Sequence, residues 1–308
     1  MLSRVAESLF WIGRYLERAD GTARVLDVHL QLVLEDPLID EDTACRALLA
    51  IMGIDSWPGG ALTVRQVVEI LASDRASAPS IAYSLVAARE NARRAREIIS
   101  VDLWECLNTI ITRLPAEVAA DRYHAWFSWV RERAAMASGI TDTTMSRDEP
   151  YQFFILGQSL ERADMTARLL ATRSLTRASA PSWTTILRSC GAWESCLRTY
   201  RGLPGAHDAA EFLLLDPLFP RSVLFSMERA LGVLAELDPQ GRREAADGAG
   251  RVLGRAVASL RYRAMSEILA DLPEAMDQIQ AATSTASDAV KGRFFPSEAM
   301  PVWMGEMT

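Results

Sequence analysis

Apolar side chains recur three and four positions apart along the N-terminal part of the chain, which is the spacing of one face of an α-helix. The pattern is formed by Leu9, Ile12, Leu16, Ala19, Ala23, Leu26 and Leu30. It predicts a first helix from Ser3 to Leu34. Asp36-Pro37 is expected to end this helix, because the residue before a proline is sterically pushed out of the helical region.

The same periodicity continues along the chain, and prolines, glycines and short polar segments divide it into further helices. These span about 41–52, 63–72, 80–111, 114–138, 150–176, 182–200, 207–215, 220–237, 242–269 and 273–290, and the pattern allows a break near Tyr262. Thr63, Ser80 and Ser182 are placed as N-caps. Gly139 and the polar segment 141–144 are expected to connect two helices. No segment alternates as a strand does, so we predict an all-α bundle of roughly ten helices.

One nine-residue stretch occurs twice, as LERADGTAR at 16–24 and as LERADMTAR at 160–168. Only the sixth residue differs, being Gly21 in the first copy and Met165 in the second. Downstream segments also correspond, 69–74 with 211–216 and 80–85 with 222–227. An internal repeat of this kind determines architecture before any local pattern does.

We therefore predict one helical domain spanning 1–308, built from two pseudo-symmetric, duplicated halves. The halves cover about 1–145 and 146–290, and a C-terminal tail follows at 291–308. The tail is apolar from Phe294-Phe295 to Trp303 and is expected to dock on its own bundle, with docking on a partner as the less favoured alternative. The segments around Asp74 and Asp216 are interpreted as structural elbows, the second of which continues through Pro220, Arg221 and Ser222, with Ser222 placed to cap a helix.

On a helix, the glutamate, aspartate and last arginine of the repeated stretch project from one side. Two interpretations are open. The two sets can form a buried polar network that ties the long helices together, because an unpaired buried charge is costly. Alternatively, they can line a shared polar cleft that binds a ligand or a divalent cation. The candidate residues in the two copies are Glu17, Arg18, Asp20, Arg24, Glu161, Arg162, Asp164 and Arg168.

A second charged constellation, Arg89, Glu90, Asn91 and Arg93, occurs on the helix predicted at 80–111. It can be a solvated face with ion pairs one turn apart. It can also contribute to the polar cleft, since Asn is not favoured in an exposed helix interior. The corresponding segment 226–232 is far less charged, which suggests that the two halves differ in role.

Composition narrows the classes of function. The formal net charge of −7 argues against general attraction to nucleic acid or to an anionic membrane. Arg4, Glu7 and Arg14 interrupt the first apolar segment, so we expect neither an export signal nor a membrane span, and a cytoplasmic protein. Four cysteines without CxxC spacing and three widely separated histidines predict no metal site. The chain carries no phosphate loop, dinucleotide fingerprint or nucleophile elbow, so no cofactor is predicted.

Several segments together resemble a known family. They are MLSRVAESLFWIGRYLERAD at 1–20, ARENAR at 88–93, FLLLD at 212–216 and PRS at 220–222. They are similar to the bacterial alpha-E proteins, a family named for its helical character and a characteristic glutamate, which Glu17 matches. The resemblance covers essentially the whole chain. It implies a partner, a circularly permuted ATP-grasp ligase-like protein, often accompanied by a transglutaminase-like peptidase.

Two functions follow as expectations. The first is a helical accessory or substrate-binding component of an ATP-grasp amidoligase system, in which the partner carries the ATP chemistry. The second is an independent enzyme that uses Glu17 and Glu161 with nearby aspartates and arginines, with or without a divalent metal. The second requires the two glutamates to be accessible, because a carboxylate sealed by arginines in a dry core cannot exchange protons with a substrate.

Overall fold

The computed structural model describes residues 3–35, 40–54, 57, 59–174, 182–239 and 248–296. Over these residues it contains fourteen α-helices and no strand, which confirms the all-α prediction. In chain order they are α1 Ser3–Glu35, α2 Glu41–Ile51, α3 Val64–Val68, α4 Ile81–Arg94, α5 Val101–Thr112, α6 Tyr123–Thr144, α7 Glu149–Ala171, α8 Trp183–Ser189, α9 Trp193–Tyr200, α10 Ala206–Leu215, α11 Val223–Leu237, α12 Ala249–Tyr262, α13 Met265–Ala270 and α14 Leu272–Phe294.

Helices α1 and α7, which carry the two copies of the repeated stretch, pair more extensively than any other two described helices. Helices α4 and α6 pack on α1, and α11 and α14 pack on α7. α7 is consequently buried on most of its sides, including its charged residues Glu161 and Asp164. A helix covered in this way must satisfy its polar side chains within the protein.

The predicted caps are confirmed. The hydroxyl groups of Ser80, Ser182 and Ser222 accept bonds from backbone N–H groups in the first turns of α4, α8 and α11. Thr63 caps α3 and forms a capping box with Gln66. These bonds satisfy backbone donors that a helix leaves free at its N-terminus, which is why a local motif was enough to find them.

The single helix predicted at 80–111 is wrong. α4 ends at Arg94, and α5 begins at Val101 after a short turn. Ser100 caps the new helix, because its hydroxyl accepts the Leu103 N–H at 3.2 Å. Ile99 in the turn is buried, so tertiary packing stabilises a break that no proline or glycine announces.

The helix predicted at 114–138 and the connection predicted at 141–144 are also displaced. α6 begins only at Tyr123 and continues to Thr144. Thr141 and Thr143 donate their hydroxyls to carbonyls one turn back, at 2.9 and 2.8 Å. Threonines that bond in this way satisfy their own polar groups inside a helix, so a run of them does not by itself mark a loop.

Two other predicted helices are divided. Gly191, at φ +63°, separates α8 from α9, and a left-handed backbone of this kind favours glycine. The break near Tyr262 is present, between α12 and α13.

In the tail, Phe295 is buried with its ring 5.6 Å from that of Phe10, so this part docks on the bundle. Asp36-Pro37 and tail residues 297–308 lie outside the described residues. None of the described helices is both long and apolar enough to cross a bilayer.

Candidate functional site

The two central helices touch backbone to backbone where each carries a glycine. A Cβ atom built on Gly13 would lie 2.2 Å from the Phe154 carbonyl oxygen. One built on Gly157 would lie 2.0 Å from the Phe10 carbonyl oxygen. No side chain fits at either position, so the glycines set the separation of α1 and α7 at this crossing.

This close approach brings each glutamate of the repeated stretch within reach of arginines from elsewhere. Glu161 accepts bonds from Arg14 Nε at 2.6 Å and from Arg18 Nε at 2.5 Å. Glu17 accepts bonds from Arg162 Nη2 at 2.7 Å and from Arg221 Nη1 at 2.6 Å. Each buried carboxylate is therefore held by two guanidinium groups, which is the arrangement that a buried charge needs.

Both glutamates stay ionised in this environment. Burial by itself would raise the pKa of Glu17, but the positive charges of Arg162 and Arg221 outweigh it and lower the pKa to about 2. Burial acts on Glu161 in the same sense, and Arg14 and Arg18 likewise lower its pKa to about 2. At neutral pH neither carboxyl group has a proton to donate, and neither has a significant tendency to accept one.

The aspartates of the repeat lie beside these pairs. Asp20 binds Arg24 at 2.9 Å, and Asp164 binds Arg168 at 2.7 Å, one turn along the same helix in each case. Each arginine also donates a hydrogen bond to the backbone carbonyl of the last residue of a short helix. Arg24 bonds the last residue of α8, and Arg168 bonds the last residue of α2. Cations are favoured at such helix ends. The outer contacts of the two copies therefore match.

The segments that precede α4 and α11 also match in their hydrogen bonds. The Thr22 hydroxyl donates to the Pro79 carbonyl, and the Thr166 hydroxyl donates to the Arg221 carbonyl. Pro79 and Arg221 thus hold equivalent positions relative to the two copies of the repeat. Their side chains have opposite chemistry: Arg221 reaches Glu17 and Asp20, whereas a proline has no donor to offer.

An open cleft of about 290 Å³ lies on the Glu161 side, and we call it the Glu161 cleft. Its polar lining residues are Arg14, Arg18, Glu161, Asp164, Arg168, Gln280 and Ser284. Pro79 and Met165 contribute apolar wall. The side chains of Arg18 and Arg168 remain about one-fifth exposed, at 21% and 22%, so they are accessible to a ligand although they are ion-paired.

The single difference between the two nine-residue stretches, Gly21 in one and Met165 in the other, has a packing explanation. A Cβ atom on Gly21 would lie 2.7 Å from both Cβ and Cγ of Met165. The two positions therefore face each other across the α1–α7 interface, and the glycine makes room for the methionine. Contacts between equivalent positions of two copies are expected of a duplicated unit. The duplication of the entire halves remains a prediction.

Comparison with known proteins identifies the family of this chain. A family model described as a predicted alpha-helical domain with a conserved ER motif matches residues 1–295. The chain belongs to the Alpha-E family. Relatives include uncharacterised proteins of Mycobacterium bovis and Mycobacterium tuberculosis, each 28% identical over 269 residues, or 76% of this chain and 30% of the relative. The chain thus spans about a third of the length of these relatives. No solved structure matches it.

In this Alpha-E chain the Glu-Arg dipeptide of the repeat is shared between two helices. Glu17 binds Arg162, and Arg18 binds Glu161, so each dipeptide supplies both of its charges to the other copy. Adjacent residues on a helix point in different directions, so a single helix cannot close these pairs internally. The dipeptide therefore acts as a reciprocal clamp between α1 and α7.

The second charged constellation of the Alpha-E chain is not brought together with this clamp, contrary to expectation. Its members are Arg89, Glu90, Asn91 and Arg93, none of which lines the Glu161 cleft. Arg89 Nε instead donates to Asn108 Oδ1 at 3.1 Å on α5, and Arg93 binds Glu90 at 3.0 Å. The Asn91 amide donates to a carbonyl of its own helix at 2.9 Å. The group forms a local polar face, as the simpler interpretation held.

Two clamp residues were not among the predicted cleft residues. Arg14 lies one turn before Arg18, and in the second copy its place is taken by Gln158, so comparison of the repeats gave no signal for it. Arg221 was assigned to the elbow, where its backbone does lie, but its side chain binds Glu17 and Asp20. A lone arginine in an elbow gives no indication of a partner 204 positions away.

One Cys-His contact was also not foreseen. His29 Nε2 lies 3.8 Å from Cys45 Sγ. Burial raises the pKa of Cys45 to about 12 and lowers the pKa of His29 to about 4. Both groups are therefore neutral near pH 7, and the pair lacks the thiolate that a nucleophile needs. Within the described ranges, no group of three or more His, Cys, Asp or Glu residues is placed to hold a metal ion.

Proposed function

We propose that this chain is a helical substrate-binding component of an ATP-grasp amidoligase system and that Glu17 and Glu161 form a structural clamp. The observation that carries the proposal is the sealing of both glutamates by two arginines each, next to a cleft whose arginines remain accessible. The repeated motif then holds the bundle together, and binding takes place beside it.

The alternative of an independent acid-base enzyme is disfavoured by the same geometry. A catalytic acid or base works best when its pKa lies near the working pH and its proton is within reach of the substrate. Both glutamates have a pKa of about 2, and their residues are only 3% and 1% exposed. Both oxygens of each carboxylate already bind guanidinium groups, so neither is free for a nucleophilic role.

Two considerations support a partner protein. The matched region makes up only 30% of the mycobacterial relatives, so a unit like this one occurs within much longer chains. The resemblance to alpha-E proteins implies a circularly permuted ATP-grasp ligase-like protein, which would supply the ATP chemistry. A transglutaminase-like peptidase is a second partner of the same system.

Co-expression of the tagged chain with a circularly permuted ATP-grasp ligase-like protein of the same organism tests the proposal. We expect the two proteins to co-purify and the amide product of the ligase to depend on this chain. The tag alone, and the ligase-like protein without the chain, are the controls. Failure to associate, combined with unchanged product formation when the chain is omitted, would refute the proposed function.

A further inference from the structure

The two copies of the repeat leave their aspartates with different partners. Asp20 binds the guanidinium groups of both Arg24 and Arg221. Among the described arginines Asp164 binds Arg168 alone, and its other oxygen accepts a long hydrogen bond of 3.4 Å from the Thr283 hydroxyl. Asp164 has no counterpart of Arg221, because Pro79 occupies the equivalent position in the sequence. The Glu161 cleft is the space that remains, since Pro79 and Asp164 both line it.

Several residues that line this space have hydrogen-bond donors that bind no described residue. Arg18 uses Nε and Nη2 for Glu161, which leaves Nη1. Arg168 uses Nε for Asp164 and Nη1 for a carbonyl, which leaves Nη2. From α14, the Gln280 amide and the Ser284 hydroxyl also line the cleft without bonding another described side chain or backbone group.

The lining of the cleft carries charges of both signs, which favours a zwitterion. Arg14, Arg18 and Arg168 face Glu161 and Asp164. A carboxylate group fits the planar fork of a guanidinium group, and an ammonium group can pair with the Asp164 carboxylate. A phosphate dianion has no cationic group to offer and meets the Asp164 carboxylate at close range.

We propose that the Glu161 cleft binds a free α-amino acid. Its carboxylate lies against the unused N–H groups of Arg18 and Arg168, and its amino group lies at Asp164, where Arg221 provides a cation to the other copy. A cleft of about 290 Å³ is at the small end of ligand pockets, which suits one amino acid. This assignment rests on the proposed function, in that it names the substrate class of the binding component.

Thermal unfolding of the isolated chain tests the assignment without the ligase. Each standard L-amino acid is added in turn at constant ionic strength, with its carboxamide, its N-acetyl derivative and inorganic phosphate as comparisons. A ligand present at about ten times its Kd is expected to raise the Tm by about 3 °C. At least one amino acid should do so, and its carboxamide and N-acetyl derivative should not.

Two variants, each with a control variant, test whether the amino acid binds in the Glu161 cleft. Pro79→Arg places a guanidinium group where Arg221 lies in the other copy and should abolish the ligand-induced shift, while Pro79→Ala should retain it. Gln280→Leu, which removes a donor without touching the clamp, should weaken binding about tenfold. Gln278→Leu on the same helix is the matched control, since the Gln278 amide bonds Glu274 instead.

The assignment is overturned if no amino acid shifts the Tm. It is also overturned if the shift persists equally in Gln280→Leu, or if inorganic phosphate gives the larger shift. Should Pro79→Arg fail to fold, the Gln280 and Gln278 pair decides. Because the isolated chain is used, loss of amino-acid binding and loss of association with the ligase are separate results.

Discussion

Replacing Gly157 by alanine tests whether the backbone contact between α1 and α7 sets the geometry of the clamp. In an ordinary helix interior this change is stabilising, by about 0.8 to 1 kcal/mol, because alanine has the higher helix propensity. Here the added Cβ would lie 2.0 Å from the Phe10 carbonyl oxygen and 2.9 Å from its carbon. Those atoms belong to the backbone of α1, so no change of rotamer relieves the clash.

The two helices must separate instead, and overpacking of this kind costs about 1 to 3 kcal/mol, here toward the upper end. After the gain in propensity is subtracted, we expect a net loss of about 2 kcal/mol in the free energy of unfolding. For a chain of this size that corresponds to a fall of about 4 °C in Tm. Gly13→Ala should behave alike, and the double variant should lose less than the sum, since both act on one crossing.

Urea denaturation followed by circular dichroism at the helix band measures these changes. Gly139→Ala and Gly232→Ala are matched controls, because both glycines lie inside helices and an added Cβ would meet nothing within 4 Å. Each control should gain up to about 1 kcal/mol. If Gly157→Ala is as stable as the wild type or more stable, the close approach of α1 and α7 does not constrain the fold as argued.

The remaining predictions concern the clamp and its surroundings. Glu161→Gln and Glu17→Gln each leave two arginines, whose side chains are at most about one-fifth exposed, with too little negative charge and should cost about 3 to 5 kcal/mol in denaturant titrations, whereas the partly exposed control Glu90→Gln should change stability by about 0.5 kcal/mol or less; an unchanged Tm for both clamp variants would contradict the structural role. The glutamates titrate at 4.5 in the unfolded chain and about 2 in the folded one, so their stabilising effect is complete above pH 4.5 and is lost as the pH falls toward 2. Buried His29, with a pKa lowered from 6.5 to about 4, adds a loss between those values on acidification, and a His29→Leu variant that keeps this loss would disprove its origin. Gly21→Met should cost about 3 kcal/mol through its clash with Met165, and adding Met165→Gly should recover more than about half of that loss if the interface is as symmetric as its contacts; a double variant no more stable than Gly21→Met would count against it.

Much of the local structure could be predicted from residues that are close together in the sequence. The helix of the first repeat, the caps at Ser80 and Ser222 and the turn near Tyr262 follow from periodicity and from backbone donors that need a nearby acceptor. The errors had local causes too. Ser100 starts a helix inside an uninterrupted apolar pattern, and Thr141 continues one where a polar run suggested a loop.

The sequence by itself determined that the chain is all-α and that it contains two copies of one charged helical stretch. It also limited the role of the glutamates to two alternatives, a buried network or an exposed site. These conclusions depend on residues within a turn or two of each other, whose relation is set by helix geometry alone.

Only the tertiary structure decided between the alternatives. The choice depends on which arginines reach Glu17 and Glu161, and that is fixed by the separation and register of α1 and α7 at Gly13 and Gly157. Arg221 becomes part of the clamp, and Arg89 does not, because helix packing brings one of them to a buried carboxylate and leaves the other on a local surface. Pairings between residues far apart in the chain depend on that packing, so no periodicity in the sequence encodes them.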